Sequence, residues 1–242
     1  MTHDSRYAPR ARQAEKILAV LRDFLGPDLT RFSCLDVGCS DGGISLNLAG
    51  QFRRVVGIDL DREAVGRASL QARRERQAGA VEFSLAGGHK IPFPDCSFDV
   101  AVCAQVYEHT TEQAALAQDI FRVLRPGGVL FFSGPNRLKF MEEHYWLPFL
   151  SWPPRPISHA YMRIFRRGTY YDAYPRFYWQ IRRLWRDFQF NDYTLPMILE
   201  PQRFALGARL GKLAWVRNLP PGLLRLLAPL YPNYNWILVK PQ

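Results

Sequence analysis

Two short stretches carry the residues best suited to hold a ligand. LDVGCSDGG (35–43) follows an apolar run with glycines at 38, 42 and 43, and VVGIDLD (55–61) ends a second run on Asp59, 21 residues after Gly38. A glycine-rich turn between a strand and a helix lets backbone approach a ligand and aims free N–H groups at it. Gly38 and Gly42 suit the tight turn, and Asp36 is available to orient it or to accept from a ligand amine. A carboxylate at the tip of the second strand can take both hydroxyls of a ribose, which is the chemistry expected of Asp59. Asp61 is the better residue to cap the helix that follows.

Two other chemistries compete for the first turn. Gly38-Cys39-Ser40-Asp41-Gly42 fits a G-x-S-x-G elbow with Ser40 as nucleophile. That elbow follows several strands of its sheet, whereas this one follows the first, and no convincing Asp-then-His pair comes after it. Gly38, Ser40 and Gly43 also fall on G-x-G-x-x-G with the middle glycine replaced. A serine there obstructs a pyrophosphate, so a ligand without one loses less by the replacement.

The elements that must position these turns are legible from periodicity. Ile17, Val20, Leu21 and Phe24 make one face of a helix over 11–25. Strands are expected at 33–38, 54–59, 81–86, 98–104 and 129–134, with helices at 42–50, 61–78 and 111–124 between them. Such alternation predicts an α/β fold with right-handed βαβ crossovers. After Pro135 the pattern loosens: 136–177 has no clean period, 178–190 reads as a helix, 202–228 is helical in pieces, and 236–239 is strand-like.

LDVGCSDGG, GIDLD, IPFPDCSFDVAV (91–102), AQVYEH (104–109) and LRPGGVLFFSGPN (124–136) occur in that order. Together they resemble class I S-adenosylmethionine-dependent methyltransferases, specifically the small-molecule "type 11" group, over roughly residues 15–136. The resemblance implies a Rossmann-like, seven-stranded, mostly parallel sheet with helices on both faces, and S-adenosyl-L-methionine as cofactor. It places Asp36, Gly38, Cys39 and Ser40 at the methionine part, Asp59 and Leu60 at the ribose and adenine edge, and Ala104 and Gln105 under the cofactor. The acidic residue that bonds the adenine amine in that group is replaced by Gly87, followed by Gly88, so backbone or stacking must serve instead. Residues 1–30 are then an N-terminal helix, 31–136 the cofactor-binding core, and 137–242 an acceptor and lid region completing the sheet of one structural domain.

Methyl transfer is an in-line displacement that depends on alignment, and an oxygen acceptor must also lose its proton. Sheet topology and the resemblance put the acceptor beyond strands four and five. Tyr107, Glu108, His109, Glu143, His144 and Tyr145 are the candidates there. His144 is the preferred base because it lies in an insertion with little structural duty. His109, the second candidate, has a competing role in satisfying backbone at a turn.

Charge divides the chain. Residues 1–136 carry 16 Lys and Arg against 16 Asp and Glu, whereas residues 137–242 carry 16 against 6 and hold 22 of the 33 aromatic residues. This basic, aromatic region suits an anionic, partly apolar acceptor, such as a lipid-linked or phosphorylated saccharide. The resemblance points to O-methylation of a small-molecule, lipid-linked or glycan acceptor. Segments 178–190 and 219–231 are candidates for peripheral contact with an anionic membrane, against the preferred reading of 178–190 as a helix packed on the sheet. The net charge of +10 also attracts nucleic acid, but no motif for base recognition accompanies it, so an RNA methyltransferase is the lesser alternative. A degenerate, non-catalytic cofactor-binding domain serving as a partner scaffold is another. Four cysteines without a C-x-x-C pair predict no metal site and buried, reduced thiols. A polar N-terminus without an apolar run predicts a cytoplasmic protein, with the peripheral membrane face as the only other location.

Overall fold

The computed structural model describes residues 4–77, 79–142, 144–207 and 211–242. Among them seven strands form one sheet: β1 (Ser33–Val37), β2 (Arg54–Asp59), β3 (Val81–Leu85), β4 (Phe98–Ala104), β5 (Leu124–Pro135), β8 (Gln189–Asp192) and β9 (Asn233–Val239). Their order is β3-β2-β1-β4-β5-β9-β8. The first five are parallel, and β9 runs antiparallel between β5 and β8. The order reverses between β1 and β4, which opens a crevice at their carboxyl ends.

Alternation along the strands supplies both faces with apolar side chains, as a sheet covered on both sides requires. Cys34, Val55, Val100, Val102 and Phe131 point to one face, against Ile17, Val20 and Leu21 of α1 (Asp4–Leu25). Leu35, Val56, Ala101, Cys103 and Phe132 point to the other, against Leu116 and Ile120 of α4 (Gln113–Val123). The helix expected at 42–50 is a single turn, α2 (Ser45–Leu48). Gly42 and Gly50 have φ of +79° and +76°, outside the helical range, so they bound it on both sides. Helix α3 (Arg62–Arg74) is capped by Asp61, whose carboxylate accepts from the N–H groups of Glu63 and Ala64 at 2.9 and 3.0 Å. That assignment leaves Asp59 outside the cap.

Beyond Pro135 two expectations change. The stretch without a period contains a hairpin of β6 (Met141–Glu142) and β7 (Leu147–Pro148), then α5 (Arg155–Ile164). These close over a small core of their own, Leu147, Leu150, Met162, Tyr171 and Ala173. The helix expected at 178–190 is α6 (Tyr178–Leu184), and the chain then turns so that 189–192 become strand β8. Ile181, Trp185 and Phe188 share the core with Phe132 and Trp236, so this segment packs inward. Helices α7 (Thr194–Leu199) and α8 (Pro221–Leu226) precede β9. No described helix is long and apolar enough to cross a membrane. Cys34, Cys39 and Cys103 are buried free thiols, but Cys96 lies on the surface, where a turn with φ of +56° carries it out of the core.

Candidate cofactor cleft and active site

A cleft of about 440 Å³ opens at the carboxyl ends of β1, β2 and β4, a volume in the range of small-ligand sites. It is built where the first turn leaves β1. The N–H groups of Gly38 and Cys39 both donate to the Ile58 carbonyl, at 2.8 and 3.0 Å, and lock the turn to β2. Gly38 has φ of +72°, and a Cβ there would stand 2.5 Å from Val106 Cγ2. Only glycine leaves this wall open. Asp59 ties the two ligand-facing turns together: one carboxylate oxygen accepts from the Ser40 N–H at 2.7 Å and the other from the Asp61 N–H at 2.9 Å.

Two of the eight non-glycine residues with left-handed backbone among the described residues line this cleft: Ser40, in the glycine-rich turn, has φ of +51°, and Gln105, just past β4, has φ of +61°. Left-handed backbone at non-glycine residues persists where surroundings over-determine it, and such positions cluster at functional sites. Gln105 is held by its N–H to the Ser133 carbonyl at 2.8 Å and by its amide to Asn233 Oδ1 at 2.9 Å.

Of the residues expected to bind cofactor, Gly38, Ser40, Asp59, Leu60, Gly88, Ala104 and Gln105 line the cleft. Asp36 and Cys39 lie beneath it, buried. Asp36 accepts from Ser45 Oγ at 2.5 Å, and burial pushes its carboxyl up to about 7 against that bond. Burial likewise raises the Cys39 thiol. Gly87 stands behind the wall, where a Cβ would meet the His89 ring at 2.7 Å and Leu60 at 3.2 Å. Leu60 is 69% exposed, an apolar surface free to cover a flat ring. Arg10 and His89 also line the cleft and escaped the sequence reading. Arg10 reaches the turn from α1 across more than 25 residues of sequence, a contact with no local signal. His89 sits in GGHK, where it is indistinguishable from a loop residue.

The candidate acid–base groups separate clearly. His109 and His144 line the same cleft with their rings 5.2 Å apart and nearly perpendicular. Glu142 Oε1 lies 2.8 Å from His144 Nδ1; this bond raises the His144 pKa, whereas burial lowers that of His109. Glu108 is 1% exposed with neither carboxylate oxygen hydrogen-bonded among the described residues, and burial lifts its carboxyl to about 7. Tyr107 is in the core: its hydroxyl donates to the Pro135 carbonyl and accepts from the Arg176 N–H. Tyr145 turns to Asp172, donating at 2.8 Å. Glu143 lies outside the described residues. Among those described, no group of three or more His, Cys, Asp or Glu is disposed to hold a metal.

A sheet of this order with one reversed strand, a glycine turn on β1 and an acidic tip on β2 defines the class I methyltransferase fold. Residues 35–132 match the family described as a methyltransferase domain, so the resemblance carried by the five motifs is borne out. A relative from Mycolicibacterium smegmatis, named a probable S-adenosylmethionine-dependent methyltransferase, is 42% identical over 106 residues, 44% of this chain and 39% of that one. A ubiquinone biosynthesis O-methyltransferase of Aeromonas salmonicida is 34% identical over 103 residues, 43% of each chain. The chain thus spans about two fifths of the length of these relatives. Among solved structures, the YcgJ protein of Bacillus subtilis superposes with a TM-score of 0.58 at 15% identity, covering 93% of this chain and 99% of that one. Phosphoethanolamine N-methyltransferase 2 of Haemonchus contortus in complex with S-adenosyl-L-methionine gives 0.58 at 21% identity, covering 93% and 52%.

Proposed function

We propose that this chain is an S-adenosyl-L-methionine-dependent methyltransferase acting on an oxygen of a small-molecule acceptor. The observation that carries the reading is one cleft shared by Asp59, the glycine turn and the His109–His144 pair. The donor set fits a nucleoside with an amino-acid tail. Asp59 would take the ribose hydroxyls and Leu60 the adenine edge. The turn at Gly38 and Ser40 would hold the amino-acid part, with Arg10 near its carboxylate and Asp36 beneath. With Gly87 in the place of an acidic residue, backbone and His89 are the groups left to meet the adenine amine.

When bound, the cofactor supplies a methyl group on a sulfonium and leaves as the neutral thioether. The chain's own task is to align the acceptor and remove its proton. Glu142 fixes His144 through Nδ1, which directs the Nε2 lone pair outward. The acceptor O–H would give its proton to that nitrogen while the oxygen gains the methyl group. His109, whose pKa burial lowers, is suited to hydrogen-bond the acceptor. The O-methyltransferase relatives favour an oxygen acceptor, and the basic, aromatic region favours a lipid-linked or saccharide one over RNA. A cytoplasmic location, with or without peripheral membrane contact, accords with such an acceptor.

Calorimetric titration with S-adenosyl-L-methionine tests the first half of this reading. Wild type is expected to bind, and Asp59→Asn to bind roughly tenfold or more weakly, since a hydrogen bond to a charged group contributes about 1.5–3 kcal/mol. Absence of binding by wild type would instead favour the non-catalytic scaffold.

A further inference from the structure

Beyond Thr110, which lines the cleft, a second cavity of about 340 Å³ opens with the same residue on its wall. Three half-buried arginines from separate segments line it: Arg137 after β5, Arg155 at the start of α5, and Arg176 before α6. Among the described residues no carboxylate pairs with any of them. Neutral oxygens hold them instead. Arg137 Nε donates to the Ser151 carbonyl at 2.9 Å, Arg155 Nη1 to the Ala173 carbonyl at 3.0 Å, and Arg176 Nε to Gln113 Oε1. Arg155 also lies 3.9 Å from the centre of the Tyr174 ring. Such bonds fix the guanidinium planes without cancelling their charge, so the cavity is positive and pre-organised.

Pro153 belongs both to this cavity and to an open apolar groove of about 610 Å³ formed by the β6–β7 hairpin and α5. Its walls include Phe149, Trp152, Ile157 and Ile164, the last two 57% and 73% exposed. Contiguous exposed apolar surface beside a charged cavity is the composition of a site for a ligand with an apolar part. The three features run in series: cleft, arginine cavity, apolar groove, joined at Thr110 and at Pro153.

We propose that the arginine cavity is the anion subsite of the acceptor and the groove the seat of its hydrocarbon tail. The acceptor is then an amphiphile whose phosphate-type group stands between its tail and the oxygen that enters the cleft. This rests on the reading of the cleft as the methyl-transfer site.

The probe is dioctanoyl phosphatidate at concentrations where it is dispersed, compared with inorganic phosphate and dioctanoylglycerol by calorimetry and tryptophan fluorescence. Wild type is expected to bind phosphatidate more tightly than either. Arg176→Gln should weaken phosphatidate roughly tenfold or more. The double variant Ile157→Asn, Ile164→Asn, on exposed positions, should weaken phosphatidate while leaving phosphate unaffected. Unchanged S-adenosyl-L-methionine binding and an unchanged melting temperature certify that each variant is folded. Phosphatidate binding that ignores Arg176→Gln overturns the anion subsite, and binding no tighter than inorganic phosphate overturns the tail groove. If phosphatidate binding responds as stated while S-adenosyl-L-methionine fails to bind, the subsite stands and the methyl-transfer reading falls.

Discussion

Gly38→Ala is expected to be among the most damaging single-methyl changes in the chain, and its cost divides into two separable parts. The backbone at 38 has φ of +72°, and the added Cβ would lie 2.5 and 3.0 Å from the two γ-methyls of Val106. Left-handed backbone costs a residue with a Cβ about 1–2 kcal/mol. Forcing a methyl into that contact costs about 1–3 kcal/mol more, while stiffening of the unfolded chain returns about 0.4–1 kcal/mol. The net loss is about 1–4.5 kcal/mol, and each kcal/mol lowers the melting temperature of a domain this size by about 2–4 °C. Val106→Ala removes both γ-methyls and tests the division. In the double variant most of the steric part should be relieved, leaving the 3.3 Å contact with Val106 Cβ and the backbone part, which gives a favourable coupling of about 1–3 kcal/mol. Urea unfolding of wild type, both single variants and the double variant measures it. A coupling within about 0.5 kcal/mol of zero, or a neutral Gly38→Ala, refutes the account of why the cleft wall needs glycine.

Two further outcomes concern titration. Glu142→Gln replaces the carboxylate whose charge and hydrogen bond raise the His144 pKa by a neutral amide, so histidine NMR should find His144 titrating at lower pH than in wild type. An unmoved titration would mean that the Glu142 carboxylate does not act on the ring. Glu108 is held near 7 by burial from an ordinary 4.5, so the folded protein binds its proton more tightly than the unfolded chain. Stability from this group is present below about pH 4.5 and declines as pH rises through 7. Glu108→Gln, which stays neutral, should therefore gain stability over wild type at pH 8 and show less difference at pH 5, and a difference independent of pH would contradict the assignment.

The first half of the fold was legible because β1, β2, β4 and β5 have mostly buried apolar runs and β1 and β2 end in turn chemistry that sequence displays directly. Asp59 could be placed by spacing alone, since the tip of β2 follows the glycine turn at a near-constant remove. Helix 42–50 was overread because apolar spacing at 44, 46 and 48 ignores the backbone signs of Gly42 and Gly50. The strand at 189–192 was hidden by Trp185 and Phe188, whose i, i+3 spacing mimics a continuing helix although both side chains reach the core from a turn. Helix α5 is only ten residues long and lies between stretches rich in proline and arginine, which mask its apolar stripe of Ile157, Ala160, Tyr161 and Ile164; that stripe walls the open groove. Arg10, His89 and the burial of Glu108 needed three dimensions, since each depends on neighbours remote in sequence.

The surplus of positive charge after residue 136 is the feature for which a summed total was least informative. In the structure those arginines do different work. Arg203 pairs with Asp23 and Glu200 and ties the region to α1. Arg182 lies over the Phe190 ring at 3.8 Å, covering the edge of the sheet. Arg137, Arg155 and Arg176 converge on one cavity and are anchored by oxygens that carry no charge. A charge already paired has little left to offer a ligand, and a charge free in water gains little from one. A guanidinium fixed by neutral acceptors in a half-buried wall has largely met the cost of ordering before the anion arrives. On the proposed reading, the specificity of this region rests on the three arginines that converge on one cavity and are held there by uncharged oxygens.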